Sequence, residues 1–244
     1  MNELKHIDEF REILNKYRLS DSAKQKLAQI KLVLLVGPTS SGRNTIINEL
    51  VKTGSYRYII SDTTRQPRMN NGVLEQDGRE YWFRSEEDLL EDLRNGEFLE
   101  AAVIHNQQVS GISIRELEIA EQANKIAINE IEIVGADNIH EAAPEAFFIF
   151  IIPPSFEVWM QRMQTRGELP KDEIRRRLES ACKEFEAALQ HDYYVVLINA
   201  DFVQTAEEIR ELVEQGVTDT AAQAEARKLT SELLASTQAY LASH

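Results

Sequence analysis

Residues 37–45 read GPTSSGRNT and lie between an apolar run, KLVLLV, and a stretch with helical patterning, IINELVKTG. A glycine-rich turn between a strand and a helix presents backbone N–H groups that bind the phosphates of a nucleotide. The usual pattern is G-x-x-x-x-G-K-[ST], whereas this chain has Arg43 and Asn44 at the last two positions. The segment therefore predicts either a working phosphate loop or a strand-to-helix turn that binds no ligand.

Several side chains of this loop suit phosphate and a metal ion. Gly37 and Gly42 permit the tight backbone path that points N–H groups at phosphate oxygens. Arg43 keeps the positive charge of the usual lysine and adds a planar fork of donors. The amide oxygen of Asn44 and the hydroxyl of Thr45 are both candidate ligands for Mg²⁺.

A second motif, SDTTRQPR, places Arg65 and Arg68 three residues apart around a proline. Two guanidinium groups on a stiff turn form a bidentate clamp for a phosphate dianion. The alternative for this motif in isolation is a solvated turn that carries two surface arginines.

Composition limits the partners and the compartment. The chain has 244 residues, is 43% hydrophobic and carries a net charge of −14 with a pI of about 4.9. An acidic surface repels nucleic acid and anionic membranes, so neither is an expected partner. The N-terminus is charged throughout, and the longest apolar run, AFFIFII, is too short to span a bilayer. Because the only cysteine is Cys182, no internal disulfide forms, and a cytoplasmic protein is expected.

Apolar runs alternate with helical patterns along the chain. Strands buried on both faces read as nearly continuous apolar runs, and their alternation with helices predicts an α/β fold with a parallel sheet. The predicted strands are IKLVLLVG, YRYIIS, EYWF, FLEAAVI, KIAINEI, AFFIFII and YYVVLIN. The predicted helices between them are NTIINELV, SEEDLLEDLRN, SIRELEIAEQA, SFEVWMQRMQTR and PKDEIRRRLESACKEFEAALQ.

Three segments depart from this alternation. Residues 62–112 hold more polar strands and the turn sequences NNG and DG, which predicts a small β-rich insertion. Residues 1–29 have apolar residues at helical spacing, with a break and Ser20 as the N-cap of a second helix. Residues 217–244 also have leucines at helical spacing. We expect these terminal helices to pack on the core or on a second copy of the chain, in a homodimer.

The order of several sequence blocks resembles the guanylate kinase family. After the loop come S-x-T-T-R-x-P-R, DGREYWF, GEFLEAA, SGIS, INEIEIVGA, FIFIIPPS, MQTRG, IRRRLESA and YYVVLIN, over roughly residues 31–215. The resemblance implies a P-loop NTPase core in residues 30–216, with a GMP-binding insertion at 62–112 and a short helical lid at 155–178. The helical extensions 1–29 and 217–244 lie outside it.

The resemblance also implies which residues form the site. The ATP-binding residues would be Gly37, Thr39, Ser40, Ser41, Gly42, Arg43, Asn44, Thr45 and Asn199. The GMP-binding residues would be Ser61, Arg65, Arg68, Tyr81, Glu100, Ser110 and Glu132, with Ser110 standing where the family has a second tyrosine. The catalytic residues would be Arg43, Arg166 and Arg177, with Arg162 as a helper, whereas Arg175 is expected on a solvated helix face. Mg²⁺ would be held by Asn44 and, through water, by Glu130.

Two carboxylates explain a preference for guanine. Glu100 and Glu132 would accept hydrogen bonds from the N1–H and N2–H₂ donors of guanine, which adenine lacks. Glu130 and Glu132 are two residues apart and are expected on one side of a strand near its carboxyl end. The alternative for these two carboxylates is an ion pair with a neighbouring arginine.

The resulting expectation is an enzyme that converts ATP and GMP, or dGMP, to ADP and the nucleoside diphosphate, with Mg²⁺. Two alternatives remain. A binding module of the same fold, which recognises a phosphorylated partner without catalysis, would account for the altered phosphate loop but not for the retained lid arginines. A kinase for another nucleoside monophosphate would not need the two carboxylates.

Overall fold

The computed structural model describes residues 4–70, 72–104, 106–164, 170–216 and 219–243. The chain divides into two compact units. The first unit comprises Met1–Lys31, Arg57–Ala127 and Asp137–Glu145. The second unit comprises Leu32–Tyr56, Ile128–Ala136 and Ala146–His244.

A five-stranded sheet carries the phosphate-loop motif. Its strand order is β11-β10-β1-β9-β2, and β1, β10 and β11 pair in parallel. All five residues of β1 and nearly all of β10 are buried, as their continuous apolar sequence predicts. The strands are β1 (Leu32–Val36), β2 (Tyr56–Tyr58), β9 (Ile126–Glu130), β10 (Phe147–Ile152) and β11 (Tyr194–Ile198).

Helices of the second unit complete its core. Phe185 and Trp159 pack edge to face, and Phe150 of β10 packs against Tyr194 of β11. These helices are α3 (Arg43–Lys52), α7 (Phe156–Gln164), α8 (Lys171–Gln190), α9 (Phe202–Gln215) and α10 (Thr220–Ser243). The helix α6 (Ile133–Ala142) begins in the second unit, and its later residues belong to the first.

The first unit is built on a four-stranded sheet with the order β6-β3-β8-β7, which makes β7 an edge strand. Its strands are β3 (Asp62–Thr63), β6 (Trp82–Phe83), β7 (Phe98–Ile104) and β8 (Gln108–Ser113), beside a hairpin of β4 (Met69–Asn70) and β5 (Val73–Leu74). Its helices are α1 (Ile7–Asn15), α2 (Asp21–Leu27), α4 (Glu86–Arg94) and α5 (Ile114–Gln122).

The predicted α/β class with a parallel sheet is confirmed, and so is each of the seven predicted strands. Ser20 is the N-cap of α2, where its hydroxyl accepts a hydrogen bond from the N–H of Ala23 at 3.1 Å. Within the predicted β-rich segment, the individual strands β3, β4, β5 and β8 were not predicted, and neither were the helices α6 and α9. Across the described ranges, no helix combines the length and apolar character needed to cross a membrane.

Candidate active site

The glycine-rich turn is a tight loop between β1 and α3 in the second unit. Gly37 and Gly42 have φ angles of 135° and 104°, a region that favours glycine. A Cβ atom at Gly37 would meet the carbonyl oxygen of Ile151, and one at Gly42 would meet the side-chain amide of Asn199. Both glycines are therefore required by backbone conformation and by close approach.

Two side chains hold this loop from outside. Asn199 is 3% exposed, and its Nδ2 donates to the carbonyl oxygen of Ser41 at 2.7 Å. The indole Nε1 of Trp159, on α7, donates to the carbonyl oxygen of Thr39 at 2.8 Å. Because both contacts are to backbone carbonyls, they fix the path of the loop and use none of its N–H groups. Asn199, predicted to contact ATP, is thus also a support of the loop.

A cavity of about 450 Å³ opens on the loop. Its lining consists of Thr39, Ser40, Gly42, Arg43, Asn44, Thr45, Glu130, Arg162, Asn199 and Phe202. In the described part of the chain, the buried Oγ atoms of Ser40 and Ser41 and Oε2 of Glu130 have no hydrogen-bond partner. Buried polar atoms are normally satisfied, so the oxygens of the two lining residues, Ser40 and Glu130, indicate a polar ligand or ion in the cavity.

The residues present suit Mg²⁺. Asn44, Thr45 and Glu130 supply amide, hydroxyl and carboxylate oxygens to one cavity. Mg²⁺ prefers oxygen ligands, usually one or two carboxylates together with water and substrate phosphates. The unpartnered carboxylate oxygen of Glu130 is the observation on which this fit depends.

A second cavity, of about 260 Å³, is also lined by Arg43. Glu132, Arg177 and Glu184 line it together with Arg43, whose Nη1 donates to the carbonyl oxygen of Ile131 at 3.4 Å. Burial raises the pKa of Glu184, while the nearby Arg43 acts in the opposite direction. Arg43 is a lining residue of both cavities, so its charge reaches the predicted ATP-binding residues in one and the predicted lid residue Arg177 in the other.

Glu130 and Glu132 do not share one side of a strand, contrary to the expectation from their spacing. The strand β9 ends at Glu130, and α6 begins at Ile133. Since the alternation of side chains holds only within a strand, it does not extend to Glu132. Glu130 lines the cavity with Asn44, and Glu132 lines the cavity with Arg177.

The predicted lid arginines have different surroundings. Arg177, on α8, donates from Nε to Glu173 at 2.8 Å while it lines the second cavity. Arg162 donates to the carbonyl oxygen of Asn199 at 3.0 Å and lines the first cavity. Arg175 is exposed and pairs with Glu179, as predicted for a solvated face. Arg166 lies outside the described residues.

In the first unit, the predicted phosphate clamp is organised by an acidic residue. Nη1 and Nη2 of Arg65 donate to the carboxylate of Glu75 at 2.5 and 2.9 Å, and the same carboxylate accepts from the N–H of Arg68 at 2.8 Å. The Arg65 guanidinium lies 4.5 Å from the centre of the Tyr81 ring. The hydrogen bond from Arg65 lowers the pKa of Glu75 to about 2, so the pair is ionised at neutral pH.

Gln108 connects the other clamp arginine to Ser110. Its Oε1 accepts from Nη2 of Arg68 at 3.5 Å, and its Nε2 donates to Oγ of Ser110 at 3.4 Å. The Ser110 hydroxyl in turn donates to Oγ1 of Thr63 at 2.9 Å. Arg65, Arg68, Tyr81 and Ser110 therefore belong to one polar region of the first unit.

The predicted guanine contacts are distributed over the two units. Ser61 precedes β3, and its carbonyl oxygen accepts from the N–H of Trp82 at 3.0 Å. Glu100 lies on β7 and lines a cavity of about 440 Å³ in the first unit. Glu132 belongs to the second unit.

Sequence reasoning did not single out Glu75 or Trp159. Glu75 follows the β4–β5 hairpin, and its partner Arg65 is ten residues away, so no periodic pattern connects them. Trp159 reads as an apolar residue of an amphipathic helix, and only its indole N–H makes the contact to the loop.

The chain is similar to known guanylate kinases. The guanylate kinase family model matches residues 29–216. A guanylate kinase of Corynebacterium diphtheriae is 37% identical over 185 residues, which cover 75% of this chain and 94% of that protein. A guanylate kinase of Caldanaerobacter subterraneus is 35% identical over 75% of this chain and 85% of its own length. The crystal structure of guanylate kinase from Anaplasma phagocytophilum is similar with a TM-score of 0.53 and 28% identity, over 79% of this chain and 88% of that one. This chain belongs to the guanylate kinase family.

Proposed function

We propose that the protein transfers the γ-phosphoryl group of ATP to GMP, or to dGMP, and releases ADP and the nucleoside diphosphate. The observation that carries the proposal is the position of Arg43, which lines both the cavity of the phosphate loop and the cavity of Glu132 and Arg177. A cation there would contact phosphates from both sides of the reacting bond. Family membership supports the same reaction.

For this reaction the protein must align the two nucleotides and neutralise the charge of the transferring phosphoryl group. A phosphate oxygen of GMP attacks the γ-phosphorus of ATP, and the bond from that phosphorus to the β,γ-bridging oxygen breaks, leaving the electron pair on ADP. The acceptor oxygen is already anionic, so no general base is required. Arg43 and Arg177 would neutralise the charge of the transferring group, together with Arg166 of the predicted lid.

The loop would bind ATP mainly through its backbone. The N–H groups between Gly37 and Thr45 and the N-terminus of α3 suit anionic phosphates whatever the side chain at position 43. Asn44, Thr45 and Glu130, the last through water, would hold Mg²⁺. When bound, the metal ion would neutralise charge on the β- and γ-phosphates.

GMP would bind through residues of the predicted insertion, 62–112. Arg65, Arg68 and Tyr81 would hold its phosphate, since two guanidinium groups and a phenol match three phosphate oxygens. Ser61, Glu100 and Glu132 would contact guanine, and a carboxylate that accepts from N1–H and N2–H₂ would be left unpaired by adenine. Ser110, linked to Arg68 through Gln108, would take the place of a second tyrosine.

We further propose the organisation that the sequence predicted. A catalytic domain over 30–216, with a lid at 155–178, would carry helical extensions at 1–29 and 217–244. The net charge of −14 disfavours nucleic acid as a partner. A homodimer stays a prediction, which size-exclusion chromatography with light scattering would test.

A coupled assay for ADP with purified protein and Mg·ATP tests the proposal. GMP and dGMP are expected to be phosphorylated, with dGMP the weaker substrate, whereas AMP, CMP and UMP give negligible turnover. Turnover of AMP equal to that of GMP would favour a kinase for another nucleotide. No turnover of any nucleotide, together with binding of a phosphorylated peptide, would favour the binding module.

A further inference from the structure

The N-terminal helices, which precede the family match, cover the edge strand of the first unit. Phe10 of α1 is fully buried in a cluster with Phe98 of β7 and with leucines of α4. The N–H of Ser20 donates to the carbonyl oxygen of Gly96, just before β7, at 3.1 Å. The first two residues of β7, Phe98 and Leu99, are therefore removed from solvent, and their backbone groups need protein partners.

Tyr17 supplies those partners at one residue. Its hydroxyl donates to the carbonyl oxygen of Phe98 and accepts from the N–H of Phe98, both at 2.7 Å. Phe98 is 0% exposed, so water does not replace either bond in the folded protein. Burial raises the pKa of Tyr17 to about 12, so its hydroxyl stays protonated and able to donate even where a free tyrosine ionises, near pH 10.

Phe98 is also the residue at which β7 changes register. Phe98 is opposite Ser113, but Glu100 is opposite Ile112, so one extra residue, Leu99, lies on β7 between them. A bulge of this kind bends its strand and re-aims the side chains that follow, and bulges are frequent beside active sites. The direction of the Glu100 side chain therefore depends on the contacts that fix the backbone of the bulge.

We infer that Tyr17 is a positioning residue for guanine recognition, acting through the Phe98–Glu100 bulge. This inference rests on the proposed function, in which Glu100 accepts hydrogen bonds from guanine. Tyr17 and Glu100 also line the same cavity of about 440 Å³, together with Arg18 of the linker between α1 and α2. An element outside the family match would thus adjust the selectivity of the family's reaction.

Replacing Tyr17 by Phe removes one hydroxyl and keeps the ring, so it tests the contact in the full-length protein. The informative comparison is between GMP and IMP, because IMP lacks the 2-amino group that a correctly aimed carboxylate recognises. In Tyr17→Phe, the preference in kcat/KM for GMP over IMP should fall by about threefold to tenfold, with KM for ATP unchanged within about twofold. Glu9→Gln, which removes a contact of α1 to Arg94, should leave the preference unchanged.

A double variant separates positioning from general loosening. Glu100→Gln alone should lower the GMP preference, and adding Tyr17→Phe should lower it no further, since both changes act on one contact. If Tyr17→Phe does not fold, Gly96→Ala disturbs the same region, because its Cβ would meet the N atom of Ser20 at 2.5 Å and the carbonyl oxygen of Arg18 at 2.9 Å. The same loss of preference is then expected.

The outcomes distinguish this inference from the proposed function. An inactive wild type would contradict the proposed function itself. A wild type that prefers GMP, with a Glu100→Gln variant that has lost the preference and a Tyr17→Phe variant that keeps it, would overturn the inference alone. Additive losses in the double variant, or an unchanged preference in Glu100→Gln, would overturn it as well.

Discussion

The side chain of Gln223 pairs with both backbone groups of Val196. Its Oε1 accepts from the N–H of Val196 and its Nε2 donates to the carbonyl oxygen of Val196, each at 2.9 Å. Val196 lies on β11, the end strand of the five-stranded sheet, and Gln223 lies on α10. The amide thus satisfies the backbone of one buried residue at the end of this sheet, as the Tyr17 hydroxyl does at Phe98 in the other sheet.

Replacing Gln223 by Leu should destabilise the protein. The change leaves an N–H and a carbonyl group of a mostly buried strand without partners, which costs about 1–3 kcal/mol in the free energy of unfolding. Urea unfolding followed by circular dichroism measures this cost. Gln238→Leu, at an exposed position of the same helix, is the control and should change the free energy by less than about 0.5 kcal/mol. Equal stability of the two variants would show that the Gln223 contact does not matter.

Continuous apolar sequence made the large sheet predictable. The runs KLVLLV and AFFIFII became the paired strands β1 and β10, because a strand covered on both faces has no polar side to interrupt its pattern. The same reasoning placed the phosphate loop, since the strand before it and the helix after it both had clear patterns. Gly37 and Gly42 then occupy the backbone conformations for which glycine was expected.

The first unit was less predictable because its strands are short and its contacts are distant in sequence. The strand β3 has only two residues, Asp62 and Thr63. The strand β8 reads QVSGIS, in which Ser110 and Gly111 interrupt the apolar pattern, and Gly111 is needed there because it packs closely against Ala101. The ion pair of Arg65 with Glu75 depends on how the β4–β5 hairpin folds back. The spacing of residues along the sequence does not predict an ion pair of this kind.

Two tyrosines should titrate late. Burial raises the pKa values of Tyr17 and Tyr56 to about 12, above the ordinary value near 10. Their contribution to stability is fully present below pH 10 and is lost as the pH rises through 12, since the unfolded state ionises first. Absorbance at 295 nm should therefore show at least two of the seven tyrosines ionising near pH 12, with unfolding in the same interval. Ionisation of all seven near pH 10 in the folded protein would contradict this assignment.

Glu75→Gln should weaken GMP binding without affecting ATP. The carboxylate holds the Arg65 fork beside Tyr81, and an amide, which offers one acceptor in place of two, cannot keep both bonds. We expect KM for GMP to rise by about tenfold, because the Arg65 guanidinium would no longer be held in position for the phosphate of GMP. The comparison is Glu80→Gln, which breaks the more exposed pair with Arg79 and should leave KM near the wild-type value. Tighter GMP binding in Glu75→Gln would instead mean that the carboxylate competes with phosphate for the arginine.

Arg68→Ala should raise KM for GMP far more than KM for ATP, because the clamp belongs to the acceptor side. Loss of one charge-assisted contact to phosphate corresponds to about tenfold or more in KM. Initial rates with each nucleotide varied at saturation of the other provide both constants. If KM for ATP rose and KM for GMP did not, the insertion would have been assigned to the wrong nucleotide.

The most direct test of a working loop is the kcat of Arg43→Ala with saturating Mg·ATP and GMP. Backbone N–H groups should still bind ATP, but the charge that stabilises the transferring group would be absent, so kcat should fall by about 10²-fold or more. Arg43→Lys, which restores the usual loop residue, should stay within about tenfold of the wild type. If Arg43→Ala had the kcat of the wild type, Arg43 would not take part in phosphoryl transfer and the account of this loop would be wrong.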